Sequence, residues 1–195
     1  MKYLYIFFGI LAVGFIAVQL FAMSTQKNIE TYPYKVEKEY ENFEVRTYEA
    51  SLFTSVKLNS SDYKSSSCNG FSILAGYIFG DNKENEKIAM TSPVAMQLED
   101  SMTMMFLVPK KFNKENLPEP NQKRIEFKEV PSKRVAAIEF GGWADDEKIA
   151  THKQELIEAL KKQGIQHNGN FYSLGYNAPY EMINRRNEVI VELEG

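Results

Sequence analysis

Residues 3–23 carry no charged side chain, and the whole chain is poor in the residues that build metal or redox centres. Cys68 is the single cysteine, which excludes an internal disulfide and any cysteine-rich metal site. His152 and His167 are the only histidines, and no thiolate or other nitrogen ligand lies near either in sequence, so a zinc site is unsupported. No serine or cysteine sits in a nucleophile motif, and no phosphate-cradling glycine loop is present. The expectation is a protein that binds rather than an enzyme. An excess of one charge is missing too. The 23 basic and 26 acidic side chains leave no electrostatic footprint for nucleic acid. Without residues 1–23 the counts are 22 and 26, a net charge of −4, so the remainder has no attraction to anionic lipid headgroups.

What residues 3–23 do contain is an unbroken apolar run. At about 1.5 Å per residue it makes a helix of roughly 31 Å, close to the hydrocarbon thickness of a bilayer. A secretory signal has a shorter apolar core and a small-x-small cleavage site. The best candidate site here, after Ala22, puts Leu20 where a small residue belongs. An uncleaved membrane anchor over residues 1–23 is therefore preferred to a cleaved signal, which would release an exported soluble form. Lys2 and the amino terminus precede the span, placing the following domain outside the cytoplasm, on the periplasmic side. Residues 24–31 read as a polar tether and residues 32–195 as one domain.

Within that domain, alternation over Val36–Tyr40, Phe43–Thr47 and Leu52–Leu58 predicts strands, with a tight turn at Glu41-Asn42. Ser60-Ser61-Asp62 supplies a helix start, followed by Cys68, Phe71, Leu74, Ala75 and Ile78 at helical spacing. Gly80-Asp81-Asn82 stops that helix. Glu99-Asp100-Ser101 turns the chain into Met102–Val108, apolar on both faces and so a central strand covered on both sides. After a proline-containing connection, strands are expected at 124–130 and 134–140. A helix follows from Asp145-Asp146-Glu147, with Ile149, His152, Leu156 and Leu160 on one face. Two last strands fall at 171–176 and 188–193. Strand–helix–strand–strand thus occurs twice, at 43–108 and 132–194. The predicted class is α+β: two pseudo-repeated β-α-β-β halves forming a curved antiparallel sheet or distorted open barrel, with two outer helices and an N-terminal transmembrane helix.

The stretch that organises the rest is Lys87–Met96, Lys-Ile-Ala-Met-Thr-Ser-Pro-Val-Ala-Met. Ile88, Met90, Val94 and Met96 share a face by the period of two, and Pro93 removes a ladder donor, so a bulged or edge strand is expected. With Gly70–Gly80 upstream, this junction resembles the centre of the SOUL haem-binding family. Other matching pieces are Tyr32-Pro33-Tyr34, Phe43-Glu44-Val45-Arg46, Phe140-Gly141-Gly142-Trp143-Ala144, Gly175-Tyr176-Asn177-Ala178-Pro179 and Arg185-Arg186-Asn187-Glu188-Val189. The resemblance covers about residues 30–195; order and separation of the pieces carry it.

It implies two pseudo-repeated halves, a fold shared in outline with bacterial multidrug-sensing effector domains. It also implies haem or a similar tetrapyrrole in an apolar groove beside the first helix, rimmed by the loop before the last strand. On this chain the groove residues are Phe71, Leu74, Ile78, Met90, Tyr180 and Met182, with Arg185 nearby. The chain departs from the family where basic side chains would meet haem propionates: it has Ser67-Cys68-Asn69 on the helix and Glu181 in the loop. Arg185-Arg186-Asn187-Glu188 reads equally as an anion clamp or as an Arg–carboxylate lock. His152 reads as a packed or edge histidine before a haem ligand, and His167 as an exposed turn residue. The six methionines from Met90 to Met182 suit an adaptable groove and an irregular core alike. The expected function is a haem carrier or buffer at the membrane. The alternatives are a binder of other flat apolar small molecules, or a protein-interaction module on the same fold.

Overall fold

The computed structural model describes residues 2–26, 29–59, 62–98 and 101–194. Three expected features fall partly outside these residues: Ser60-Ser61 of the helix start, Glu99-Asp100 of the turn, and residues 27–28 of the tether.

Helix α1 spans Lys2–Gln26. Next come β1 (Glu30–Thr31), β2 (Tyr34–Glu39), β3 (Glu44–Tyr48), β4 (Ser51–Lys57) and α2 (Tyr63–Ile78). The middle of the chain forms β5 (Thr91–Ser92), β6 (Val94–Gln97), β7 (Thr103–Leu107) and β8 (Ile125–Val130). The last third is β9 (Lys133–Gly141), α3 (Asp146–Gln163), β10 (His167–Gly175) and β11 (Arg186–Leu193). Nine strands make one curled antiparallel half-barrel in the order β2-β3-β9-β11-β10-β6-β7-β4-β8. Read outward from its centre, one side runs β6, β7, β4, β8 and the other β10, β11, β9, β3, β2. Each side is therefore a strand–helix–strand–strand unit, with β8 outside the first and β3 and β2 outside the second, and the two meet where β6 pairs with β10. That is the expected duplication.

The helices form where sequence and packing agree. Asp62 caps α2, its carboxylate accepting from the Ser65 amide at 2.7 Å. Gly70 looks like a poor choice inside a helix, yet a Cβ there would meet Leu58 Cδ1 and Met104 Cβ at 3.0 Å. Its absence lets α2 lie close on β7. Asp145 caps α3 through the Lys148 amide at 2.8 Å, and Gly164 ends it with φ +66°, which glycine adopts without strain. One face of the sheet carries two cores, one under each helix. Val56, Leu74, Tyr77, Ile78, Met104 and Phe106 pack under α2, and Val45, Ala136, Ile149, Leu156, Leu160 and Val189 under α3. The other, concave face is filled by Tyr32, Tyr48, Phe53, Met105, Leu107 and Ile190. Met104 and Phe106 on one face of β7, and Met105 and Leu107 on the other, are all buried, so this strand is covered on both sides as expected.

Two expectations need correction. The Lys87–Met96 stretch is not one bulged or edge strand. Residues 85–90 are irregular, Thr91-Ser92 pairs in parallel with β1, and Val94–Gln97 lies mid-sheet between β10 and β7. Pro93, lacking an N–H, marks the step from one sheet to the other. The shared apolar face survives this change, because Ile88, Met90, Val94 and Met96 all pack into the core beneath α2. The second correction concerns α1. Among the described residues no helix is long and apolar enough to cross a membrane, so the transmembrane part of the expected fold is unsupported by the structure and rests on the sequence.

Candidate functional site

Two hydrogen bonds draw the family-like segments together near the end of α2. Ile88 N–H donates to Ile78 O at 2.8 Å, tying the segment that contains Met90 to the end of the helix. Ser92 Oγ donates to Tyr176 O at 3.2 Å, tying the same segment to the base of the late loop, residues 176–185. The loop is braced from within. Glu181, buried, accepts from Asn177 Nδ2 at 2.7 Å and from Ala178 N at 3.2 Å. Arg185 Nη1 donates to Ala178 O at 3.0 Å and to Glu181 O, and its guanidinium lies 3.9 Å from the Trp143 ring centre. Burial lowers the Arg185 pKa, and the neighbouring Glu181 opposes that shift.

The expected groove residues separate into two groups. Phe71, Leu74, Ile78 and Met90 meet in the core cluster under α2, Phe71 5.4 Å from Phe106 between ring centres. Leu74 and Ile78 are its buried floor, whereas Phe71 and Met90 are half-buried at its margin. Tyr180 and Met182 stand exposed outside that cluster, beside exposed Ile183. Glu181, between them in sequence, turns inward as the loop's staple.

Arg185-Arg186-Asn187-Glu188 resolves into the lock. Glu188 is fully buried; its Oε2 accepts from Arg46 Nη1 at 2.8 Å and Tyr176 OH at 2.9 Å, and its Oε1 from Arg186 Nε at 3.2 Å. Asn187 Nδ2 donates to Gly142 O and Arg186 N–H to Asn177 Oδ1, so the start of β11 is sewn to the turn after β9 and to the start of the late loop. Burial alone would lower the Arg46 pKa, but Glu188 overrides it and the guanidinium is held more strongly protonated. Burial pushes the Tyr48 phenol beside this network up to about 12. Tyr32 packs tilted against Tyr48 at 4.3 Å between ring centres and meets Phe53 edge-on at 5.0 Å, so aromatic rings fill the concave face.

His152 is an edge histidine. It stacks on Phe140 at 4.5 Å, and its Nδ1 is 2.7 Å from Glu155. It also lines a cavity of about 700 Å³ between the β2–β3 hairpin and α3, whose wall includes Glu39, Glu41, Glu44, Glu139, Glu155 and Glu158. Six carboxylates against the two cations Arg46 and Lys162 make that cavity unfavourable for an anionic ligand. His167 is not a turn residue but opens β10, 5.4 Å from Phe171. Sequence reasoning passed over Gln19 and took Trp143 only as part of a family-like piece, with no role at the site. Gln19 Nε2 donates to Tyr180 O at 3.1 Å and its Oε1 accepts from Met182 N at 3.1 Å. The available signal was that Gln19 is the only amide side chain in residues 3–23.

Fold and site together define a two-repeat α+β half-barrel with a braced late loop fastened to α1. The C-terminal domain of EcmrR shares this fold, with a TM-score of 0.62 at 11% identity over 83% of this chain and 98% of that one. A hydrolase from Listeria innocua does so with a TM-score of 0.58 at 6% identity, over 81% of this chain and 94% of that one. The chain belongs to the SOUL heme-binding protein family, whose family model matches residues 29–192. Similar proteins include mouse (Mus musculus) heme-binding protein 2, 26% identical over 166 residues, 80% of each chain. Heme-binding protein 1 of Xenopus laevis is 26% identical over 163 residues, 80% of this chain and 85% of that one.

Proposed function

We propose that this protein binds haem or a closely similar tetrapyrrole without catalysing a reaction, and serves as a carrier or buffer. The observation that carries this reading is the family match over residues 29–192, supported by relatives named for heme binding along about four-fifths of their length. The concave face is occupied by packed aromatic rings, and the cavity at α3 carries six carboxylates against Arg46 and Lys162, an excess that disfavours the propionates. The margin of α2 fits best. Phe71 and Met90 offer half-buried apolar surface, and the late loop carries exposed Tyr180 and Met182. Residues 71 and 90 would hold one face of the macrocycle, the loop residues would rim it, and Leu74 and Ile78 would support the floor. Bound haem would supply iron coordination chemistry, but neither histidine lies on this surface, so retention rests on burying the macrocycle.

Adding haemin to the full-length chain in detergent tests the reading through the Soret band. A saturable, shifted band at one equivalent is expected. No shift with haemin, together with saturable binding of other flat aromatic compounds, would replace haem by a broader apolar ligand class. Binding of a protein segment alone would favour the interaction-module alternative.

In the same reading residues 1–23 anchor the domain to a membrane, outside the cytoplasm. The support is the uncharged 21-residue run and the poor cleavage position at Leu20. Resistance to carbonate extraction and an intact amino terminus in the mature protein are expected. A soluble chain beginning at Met23 would contradict the anchor.

A further inference from the structure

The described side chains of α1 between Tyr3 and Val18 are exposed, and Gln19 is the point where that changes, at 6%. Both ends of its amide are used: the nitrogen donates to Tyr180 O and the oxygen accepts from Met182 N, each at 3.1 Å. The helix is thereby fastened to the late loop at one defined height. Around that fastening stand Tyr180, Met182 and Ile183, each at least half exposed. We propose that this lip of the late loop lies in the membrane interface as a continuation of the apolar surface of α1, so that the margin of the ligand groove opens toward lipid.

This rests on the anchor reading given above, and the dimensions agree with it. Residues 3–18 of a helix rise about 24 Å at 1.5 Å per residue, against a hydrocarbon core of roughly 30 Å. With residue 3 at one edge of the hydrocarbon core, Gln19 and the loop bound to it fall about 6 Å short of the other edge, just beneath the headgroup layer. The side chains suit that depth. Three apolar groups point outward, while Glu181, the one acid in the segment 178–184, is turned in and held by Asn177 and Ala178. Behind them Trp143, half exposed, lies under the Arg185 guanidinium at 3.9 Å, and tryptophan and arginine are the residues that favour a headgroup layer. The occupant of this surface is therefore lipid. An apolar ligand dissolved in the bilayer would reach Phe71 and Met90 from the side, without crossing water.

Trp143 is the only tryptophan of the chain and sits against the loop clamp, so it reports directly. The full chain would be placed in phosphatidylcholine vesicles in which part of the lipid is brominated, either near the headgroups or near the chain ends. At least twofold quenching of Trp143 by the shallow label is expected, with clearly less from the deep one. Met182→Glu combined with Ile183→Glu should abolish most of that quenching while the chain still resists carbonate extraction. A chain that stays in the membrane with Trp143 unquenched would overturn the lip and leave the anchor standing. Release by carbonate would overturn the anchor itself. Blue-shifted but unquenched emission that grows with the protein-to-lipid ratio would also overturn the proposal, giving the surface to a second copy.

Discussion

Replacing Glu188 by Gln should destabilise the fold by about 3–5 kcal/mol, because it strands a buried guanidinium. Arg46 is 3% exposed and has two carboxylate partners, Glu188 at 2.8 Å and the one-third-exposed Glu44 at 2.8 Å. Opposite charges about 4 Å apart attract by roughly 4 kcal/mol at an effective dielectric of about 20. Losing the buried partner leaves Arg46 with the weaker, wetter one, while its desolvation cost is unchanged. Arg186 contacts the same carboxylate but is 35% exposed and also reaches Glu139 at 3.0 Å, so Arg186→Ala should cost only about 1 kcal/mol. Arg46→Met combined with Glu188→Leu removes both buried charges and should recover most of the loss. Urea unfolding of the full chain, followed by far-UV circular dichroism, measures this. With a slope of about 2 kcal/mol per molar, the midpoint of Glu188→Gln should fall by roughly 1.5–2.5 M. A fall below 0.5 M, or a double variant less stable than Glu188→Gln, would refute the reasoning.

Three further outcomes follow from the same packing. Although burial raises the Glu192 pKa, hydrogen bonds from Lys133, Asn170 and Asn168 outweigh it and hold the carboxyl at about 2, against 4.5 unfolded. Its stabilisation is therefore complete above about pH 5 and disappears as pH falls toward 2. It amounts to roughly 3 kcal/mol unscreened, or about 1–2 kcal/mol once solvent screening is discounted, and Glu192→Gln should flatten the acid limb of a stability–pH curve. Leu74→Ala, at a fully buried floor position, should lower stability by about 2–5 kcal/mol whether or not ligand is present, as read by the thermal midpoint. Residues 30–115 expressed alone expose the β6 edge that β10 covers in the whole chain, so they should aggregate or stay molten, and a well-dispersed NMR spectrum from them would show the halves to be independent.

Much of this fold was legible because its signals are local. Alternation at Leu52–Leu58, the two-sided apolar run at Met102–Val108 and the acidic cap at Asp145 each act over a few residues. Lys87–Met96 was misread because period-two alternation continues through Ile88 and Met90, which are buried from an irregular segment rather than a strand. The shared face was right and the backbone was not. At the site, apolar character pointed to Leu74 and Ile78, but it could not separate a buried floor from a half-buried margin such as Phe71. That distinction depends on which side of α2 faces β7. The lock was readable as charge but not as geometry, since Arg46 and Glu188 are 142 positions apart and meet only when β3, β9 and β11 assemble. Gln19 was missed for the same reason. Its partners lie more than 160 residues away, and they are backbone atoms, which leave no mark in side-chain chemistry.

The most direct test of haem binding at the α2 margin is a paired haemin titration of Phe71→Ala and His152→Ala, read at the Soret band. Phe71 contributes apolar contact worth up to roughly 1.5–3 kcal/mol, so its removal should raise Kd by about one to two orders of magnitude while the fold survives. His152 is stacked on Phe140 beside Glu155, away from this surface, and its removal should leave both the Soret position and Kd within about twofold. Loss of the Soret shift in His152→Ala, with Phe71→Ala unchanged, would contradict the account and move the ligand to the cavity at α3.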